Sequence, residues 1–219
     1  MEPRKLLLAS ASPRRRELLA LTGWEFRAQS VDIDESPLPG EAPQETVLRL
    51  ARQKALAGQV VALPDEVVLA SDTIVVDGAE QLGKPRDAEH ARAMLRQLRG
   101  RDHAVLTAIA LCGGTNGSTK VYTDLCTALV PMRLYSDAEI EDYIATGDPL
   151  DKAGAYAIQH RGFRPVENFH SCFACVMGLP LCHLGRSMRA LGVNSPENIP
   201  VNCQLYLSYV CPVHRNIYC

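Results

Sequence analysis

Asp72 stands in the middle of a nearly unbroken apolar run. Val67, Val68, Leu69 and Ala70 precede it, and Ile74, Val75 and Val76 follow. Such a run, rich in β-branched residues, reads as a strand buried on both faces. A carboxylate there loses its hydration and needs hydrogen bonds, a cation or a metal in return. Taken alone, Asp72 reads as a structural side chain bonded to backbone amides. The basic residues elsewhere change that balance. Arg14, Arg15 and Arg16 follow Ser10, Ser12 and Pro13, in the first turn of a helix that starts directly after a strand. A helix N-terminus favours anions, so three cations there oppose the dipole unless a bound anion joins the free amides and the guanidiniums. Lys54 falls on the inner face of a second helix, where a lysine either snorkels or meets a buried anion. Glu35, with Asp32 and Asp34, closes a strand and could offer oxygen ligands to a divalent metal. Lys84 follows the Asp77-Gly78 turn, which could swing it back towards Asp72.

These groups must be carried by a definite series of elements. Lys5 to Ser10 reads as a first strand, and Ser12 caps a helix with Pro13 at its first position and Gly23 beyond its end. Glu25 to Ile33 reads as a second strand. Pro43 to Gly58 is a helix whose inner face carries Val47, Leu50, Lys54, Ala51 and Ala55. Asp87 to Leu98 is another, with Ala88, Ala91, Met94, Leu95 and Leu98 facing inward. Val105–Cys112 and Lys120–Pro131 are strands joined by a loose loop, Gly113 to Gly117. Ser136 and Glu139 form a capping box for a helix ending at Ala145. A polar loop, Asp148 to Lys152, leads into a small-residue strand, Ala153 to Gln159. Gly178-Leu179-Pro180 opens the last core helix, and Pro196 and Pro200 announce an extended tail after Gly192.

The chain has 219 residues, 47% hydrophobic and 22% charged, with a formal net charge of −2. That balance fits a globular protein with one good-sized core and argues against a general nucleic-acid surface. No apolar run is long enough to span a bilayer, and Leu6 to Ala9 is too short for a signal-peptide core, so the expected location is the cytoplasm. Residues 1–191 read as one domain and 192–219 as a cysteine-containing extension. Six of the eight cysteines lie from Cys172 onward. Cys172 and Cys175 have the spacing of a metal knuckle, and Cys182, His183, Cys203, Cys211, His214 and Cys219 could supply further soft ligands for a structural zinc. The second pair of a usual zinc site is missing, which favours small buried hydrophobes and incidental thiols.

Together these stretches resemble the Maf family of nucleoside triphosphate pyrophosphatases. The resemblance covers about residues 5 to 190. It rests on Ser10-Ala11-Ser12-Pro13-Arg14-Arg15 with Glu17-Leu18-Leu19, on Ala51-Arg52-Gln53-Lys54-Ala55, and on Ser71-Asp72-Thr73-Ile74-Val75. It continues with Gly83-Lys84-Pro85, with Asp151 to Gln159 and with Gly178-Leu179-Pro180, all in the family's order. It implies a mixed α/β fold related to the inosine triphosphate pyrophosphatases: a twisted mixed sheet flanked by helices, with a cleft for the active site, in a chain that is usually a homodimer. It also implies cleavage of a nucleoside triphosphate to monophosphate and pyrophosphate, assisted by Mg²⁺ or Mn²⁺. By position, Asp72 corresponds to the family's catalytic base. Glu35, Lys54 and Lys84 match its other active-site charges, and Arg14, Thr73 and Gln159 match positions linked to base choice. The segment Ala155-Tyr156-Ala157-Ile158-Gln159 is similar to the branch acting on dTTP and UTP rather than on methylated GTP. His160 departs from it, standing where that branch commonly has glycine.

The residues fit that chemistry without the family name. Cleavage between the α- and β-phosphates needs the polyphosphate charge neutralised and a water aligned on phosphorus. Arg14, Arg15, Lys54 and Lys84 supply positive charge, while Glu35 and Asp72 can hold a metal, orient the water or divide those roles. A nucleotide-binding regulator of cell division, or a phosphohydrolase acting at the γ-position, would use the same charges.

Overall fold

The computed structural model describes residues 5–113 and 120–218. One mixed sheet forms its centre, in the order β2 (Phe26–Ala28), β1 (Lys5–Leu8), β3 (Glu66–Asp77), β5 (Asp102–Gly113) and β6 (Lys120–Pro131). β1 runs parallel to β2 and β3, whereas β5 is antiparallel to both of its neighbours, β3 and β6. A short strand, β4 (Glu80–Leu82), turns back at Gly78 and pairs with the end of β3. This is the mixed α/β architecture expected from the sequence.

The helices cover both faces. α2 (Pro43–Gln59) lays Val47, Ala51 and Ala55 against Leu7, Val68, Ala70, Ala108 and Ala110. Small residues across that contact let helix and sheet approach closely; a Cβ on Gly58 would stand 2.7 Å from Val68. The opposite face carries α1 (Pro13–Ala20), α5 (Phe173–Val176) and α6 (Leu181–Ala190), packed on Leu6, Leu8, Val67, Leu69 and Ile109. Further along that face, α3 (Ala88–Leu98) and α4 (Asp137–Ala145) pack on Val75, Val105 and Val130. Ser12 caps α1, Asp87 caps α3, and Ser136 with Glu139 forms the reciprocal box on α4.

The pairing of β3 has a gap. β5 follows it from Val68 to Val76 on one side. On the other side β1 stops at Leu69 and β4 begins at Val75. Among the described residues no strand pairs Ala70 to Ile74 along that edge. The chain leaves β1 there to enter α1, so the sheet opens at a switch in strand order, the usual place for a ligand crevice in an α/β fold. Asp72 lies at the centre of the opening.

Several elements differ from the sequence reading. The second strand is only Phe26–Ala28, because β1 ends at Leu8 and leaves nothing for later residues to pair with. Ala88 is exposed at the start of α3. Ala153 to Gln159 is not a strand: Gly154 and Ala155 have φ of +68° and +59°, which a pleated strand cannot hold. The tail is helical rather than extended, with α7 (Ile199–Leu207) and α8 (His214–Tyr218). Pro200 sits in the first turn of α7, where its missing N–H costs no helical bond. The loop at 114–119 and Cys219 lie outside the described residues.

The tail is packed, not draped. Ile199 and Tyr218 belong to the core, Asn202 donates to Leu21 O at 2.9 Å, and Tyr218 Oη donates to Pro196 O at 2.6 Å. A Cβ on Gly185 would meet the Tyr218 ring at 2.2 Å, so the ring takes space that only glycine leaves free. Cys172 and Cys175 are buried, and Cys175 Sγ donates to Cys126 O at 3.3 Å. Among the described residues no three His, Cys, Asp or Glu side chains are grouped to hold a metal. The same residues include no helix long and apolar enough to cross a membrane.

His103 on β5 is buried, and burial pushes its pKa down from 6.5 to about 4. Between those values the unfolded chain binds a proton that the folded chain refuses, so stability is fully present above pH 6.5 and lost as pH falls towards 4. The loss should be about 3 kcal/mol. Urea unfolding at neutral pH and near pH 4.5 should show a weaker pH dependence in His103→Leu than in the parent. An identical slope in both would refute the assignment.

Candidate active site

A cleft of about 870 Å³ opens at the gap in β3. Its walls include Ser10, Ser12, Arg14, Arg15, Glu35, Lys54, Asp72, Thr73, Lys84 and Gln159, ten of the residues singled out from the sequence. Asp32 and Asp34 are not brought there: both are exposed, and Asp34 Oδ1 accepts from Ser36 N at 2.9 Å.

The cation on Asp72 is Lys54. Its Nζ lies 2.6 Å from Asp72 Oδ1 and 2.6 Å from Glu35 Oε1. The Lys54 and Asp72 side chains are only 11% and 9% exposed, so the pair is largely shielded from solvent. Helical spacing put Lys54 on the inner face of α2; the pair shows that it is there to meet an anion rather than to snorkel. Burial raises the Glu35 pKa, but the hydrogen bond and charge of Lys54, aided by Lys84 and Arg15, outweigh it and hold the carboxyl below its usual range. Lys84 therefore acts on this cluster through its field, and it is Lys54 that carries the contact with Asp72.

Arg15 is the second focus. Its Nε donates to Gly178 O at 3.0 Å, Nη2 to Thr73 Oγ1 at 3.2 Å and Nη1 to Ser10 Oγ at 3.4 Å. Among the described residues it makes no ion pair. Burial lowers its pKa, against the raising effect of Asp72 and Glu35. A desolvated guanidinium held only by neutral oxygens is an anion site already built. Gly178 makes the geometry possible: its φ is +100°, and a Cβ there would stand 3.2 Å from Thr73 Oγ1 and 3.3 Å from Arg15 Nε. Ser71 Oγ donates to Gly178 O at 2.8 Å and ties that turn to β3.

Thr73 and Asp72 project to opposite faces of a regularly paired strand. Both nevertheless line one cleft, because with no strand paired along that edge the cleft reaches around β3 to both of its faces. Thr107 Oγ1 donates to Cys175 O at 2.8 Å, so in its 2.9 Å contact with Thr73 it is the acceptor. The Thr73 proton is thus given to Thr107, and its lone pair faces Arg15.

The loop at 148–152 contributes more to the cleft than its sequence suggested. Asp148, Asp151 and Lys152 line it. Lys152 is buried, and its Nζ donates to Asp148 Oδ1 at 2.9 Å and Asp151 Oδ1 at 2.5 Å. The signal available was the Asp-x-x-Asp-Lys alternation, which reads as an ordinary solvated loop. Gly154 N donates to Gly83 O at 3.1 Å, tying this segment to the turn that carries Lys84.

Removing Lys54 should leave a buried carboxylate without its cation. Lys54→Met should cost about 3 kcal/mol in urea unfolding without divalent ions, and adding Asp72→Asn should recover most of it. Equal stability of the single and double variants would show that the pair bears no buried-charge penalty.

Comparison with known proteins identifies the family. The family model described as Maf-like protein matches residues 5–191. A protein of Anaeromyxobacter dehalogenans named dTTP/UTP pyrophosphatase is 49% identical over 202 residues, covering 91% of this chain and 100% of its own. A protein of Yersinia pestis with that name is 50% identical over 177 residues, 80% of this chain and 87% of its own. Another, from Methylococcus capsulatus, is 45% identical over 194 residues, 89% and 94% of the two chains. With its motifs gathered in one cleft and its sequence matched over that length, the chain belongs to the Maf family.

Proposed function

We propose that this protein hydrolyses dTTP and UTP to the monophosphate and pyrophosphate with the help of a divalent cation. The observation that carries the reading is the cleft itself. A desolvated guanidinium and an ion-paired carboxylate cluster face one another across the open edge of β3, and the full motif set surrounds them. The names of the relatives supply the substrate class.

Arg15, aided by Arg14 and the amides at the start of α1, binds the oxygens of the polyphosphate. Lys84 stands on the other wall and offsets the charge that grows on the leaving pyrophosphate. Asp72 accepts the proton of the attacking water, which must lie in line with the bond being broken. Lys54 keeps Asp72 and Glu35 directed into one point. Those two carboxylates fit Mg²⁺ or Mn²⁺, which take one or two carboxylates and complete their shell with phosphate and water oxygens. The cation would neutralise charge on the phosphate oxygens. Gln159, whose amide both donates and accepts, suits the imide edge of thymine or uracil.

The same reading assigns residues 1–191 to the catalytic domain and 192–219 to a structural cover over the α1–α6 face, where α7 and α8 pack. It places the chain in the cytoplasm, in keeping with seven free thiols among the described residues. It also takes the working unit as a homodimer, which sedimentation would check.

With Mg²⁺, dTTP or UTP should give the monophosphate and pyrophosphate in equal amounts. Orthophosphate as the first product would overturn the reaction, and binding without turnover would favour a regulator. Asp72→Asn, folded as the parent, should lose at least about 100-fold in kcat. Gln159→Ala should raise KM for dTTP more than it lowers kcat, since base contacts are remote from phosphorus. An unchanged ranking of nucleotides in that variant would remove Gln159 as a reader of the base.

A further inference from the structure

A chain of hydrogen bonds within the cleft wall is assigned no role by the motifs. It begins at Ala157, two residues before Gln159. Ala157 N donates to Tyr143 Oη at 2.9 Å, and Tyr143 Oη donates to Asp148 Oδ2 at 2.6 Å. Asp148 Oδ1 in turn accepts from Lys152 Nζ at 2.9 Å. A phenol has one proton, and here it goes to the carboxylate, so a lone pair is left for the amide. The ionised Asp148 polarises the hydroxyl and strengthens it as an acceptor. Burial, reinforced by Asp148, also raises the Tyr143 pKa, which keeps the phenol protonated. The ring itself is fixed by stacking on Phe163, with centroids 4.3 Å apart and planes 13° apart.

This anchor has strain to oppose. Ala155 holds φ at +59°, a left-handed conformation that costs an L-residue on the order of 1 kcal/mol and persists only where the surroundings impose it. Ala155 N donates to Lys152 O at 3.0 Å, so one lysine ties both ends of the strained turn. Released from Tyr143, the backbone from Ala155 onward would relax, and Gln159 would move with it.

We propose that Tyr143 and Asp148 are positioning residues that set Gln159 in the wall of the cleft and so tune affinity for the base of the nucleotide. The inference rests on the proposed reading of the cleft. It predicts an effect on the base and none on the phosphates, because Arg15 and Lys54 are held from other elements.

The experiment compares UTP with inorganic tripolyphosphate, which has the charge but no base. Tyr143→Phe keeps the ring and removes the hydroxyl. It should raise KM for UTP about tenfold, the scale of one lost hydrogen bond, with kcat within about twofold. Inhibition by tripolyphosphate should stay within about twofold of the parent. Asp148→Asn, which can still accept the phenolic proton, should raise KM for UTP less than Tyr143→Phe does, and the double variant should be no worse than Tyr143→Phe alone. An unchanged KM for UTP, or an equal weakening of tripolyphosphate, would overturn the proposal. Asp148, with a side chain 32% exposed, carries the same test should Tyr143→Phe not be recovered folded. If the parent releases no UMP and pyrophosphate, the proposed function falls. Calorimetric affinities for UTP and tripolyphosphate then decide the positioning role: a loss confined to UTP supports it, and a parent that binds both equally refutes it.

Discussion

The contact between Lys54 and Asp72 joins the two halves of the problem that this sequence solves. A carboxylate in the central strand would be costly alone, and a lysine on the inner face of α2 would be costly alone. At 2.6 Å each removes the other's penalty, and the pair fixes how α2 sits across β3. Coulomb attraction rarely more than balances desolvation inside a protein, so the pair is weak evidence of a device for stability. Its position at the open edge, with Glu35 on the same ammonium, reads better as charge stored for a ligand.

Arg15 complements that pair by its lack of one. It is desolvated, held by a carbonyl and two hydroxyls, and aimed into the same cleft. One wall therefore carries an anionic cluster already neutralised, and the other a cation awaiting its partner. A metal-bound polyphosphate, which has both signs of charge, matches both walls at once.

How much of this was legible depended on the range of the interaction. Caps and faces are local, and Ser12, the Ser136–Glu139 box and the apolar stripe of α2 were read correctly because each is decided within a few residues. Asp72, Arg14, Arg15 and Lys54 could be named because their types conflict with their local setting: a carboxylate in an apolar strand, cations at a helix start, a lysine on an inner face; Thr73 and Gln159 were named only through the family resemblance. Ala153 to Gln159 could not be read, since small apolar residues suit a strand or a tight turn equally. What decided was Gly83 and Val75 closing on Gly154, and Tyr143 holding Ala157 N. Lys152 was missed for a related reason: a lysine following two aspartates looks solvated until the fold buries it. The helical tail was hidden by Pro200, which breaks a helix in general but starts one at its first turn.

The gap in the pairing of β3 has one more consequence. An unpaired strand edge is a template on which another chain can add itself, and long apolar edges invite aggregation. Here the open edge runs only from Ala70 to Ile74, between the end of β1 and the start of β4. A foreign strand would have to enter end-on between those two flanking strands to reach it. The protein thus keeps this stretch of unpaired backbone recessed, open to a compact ligand and closed to an extended one.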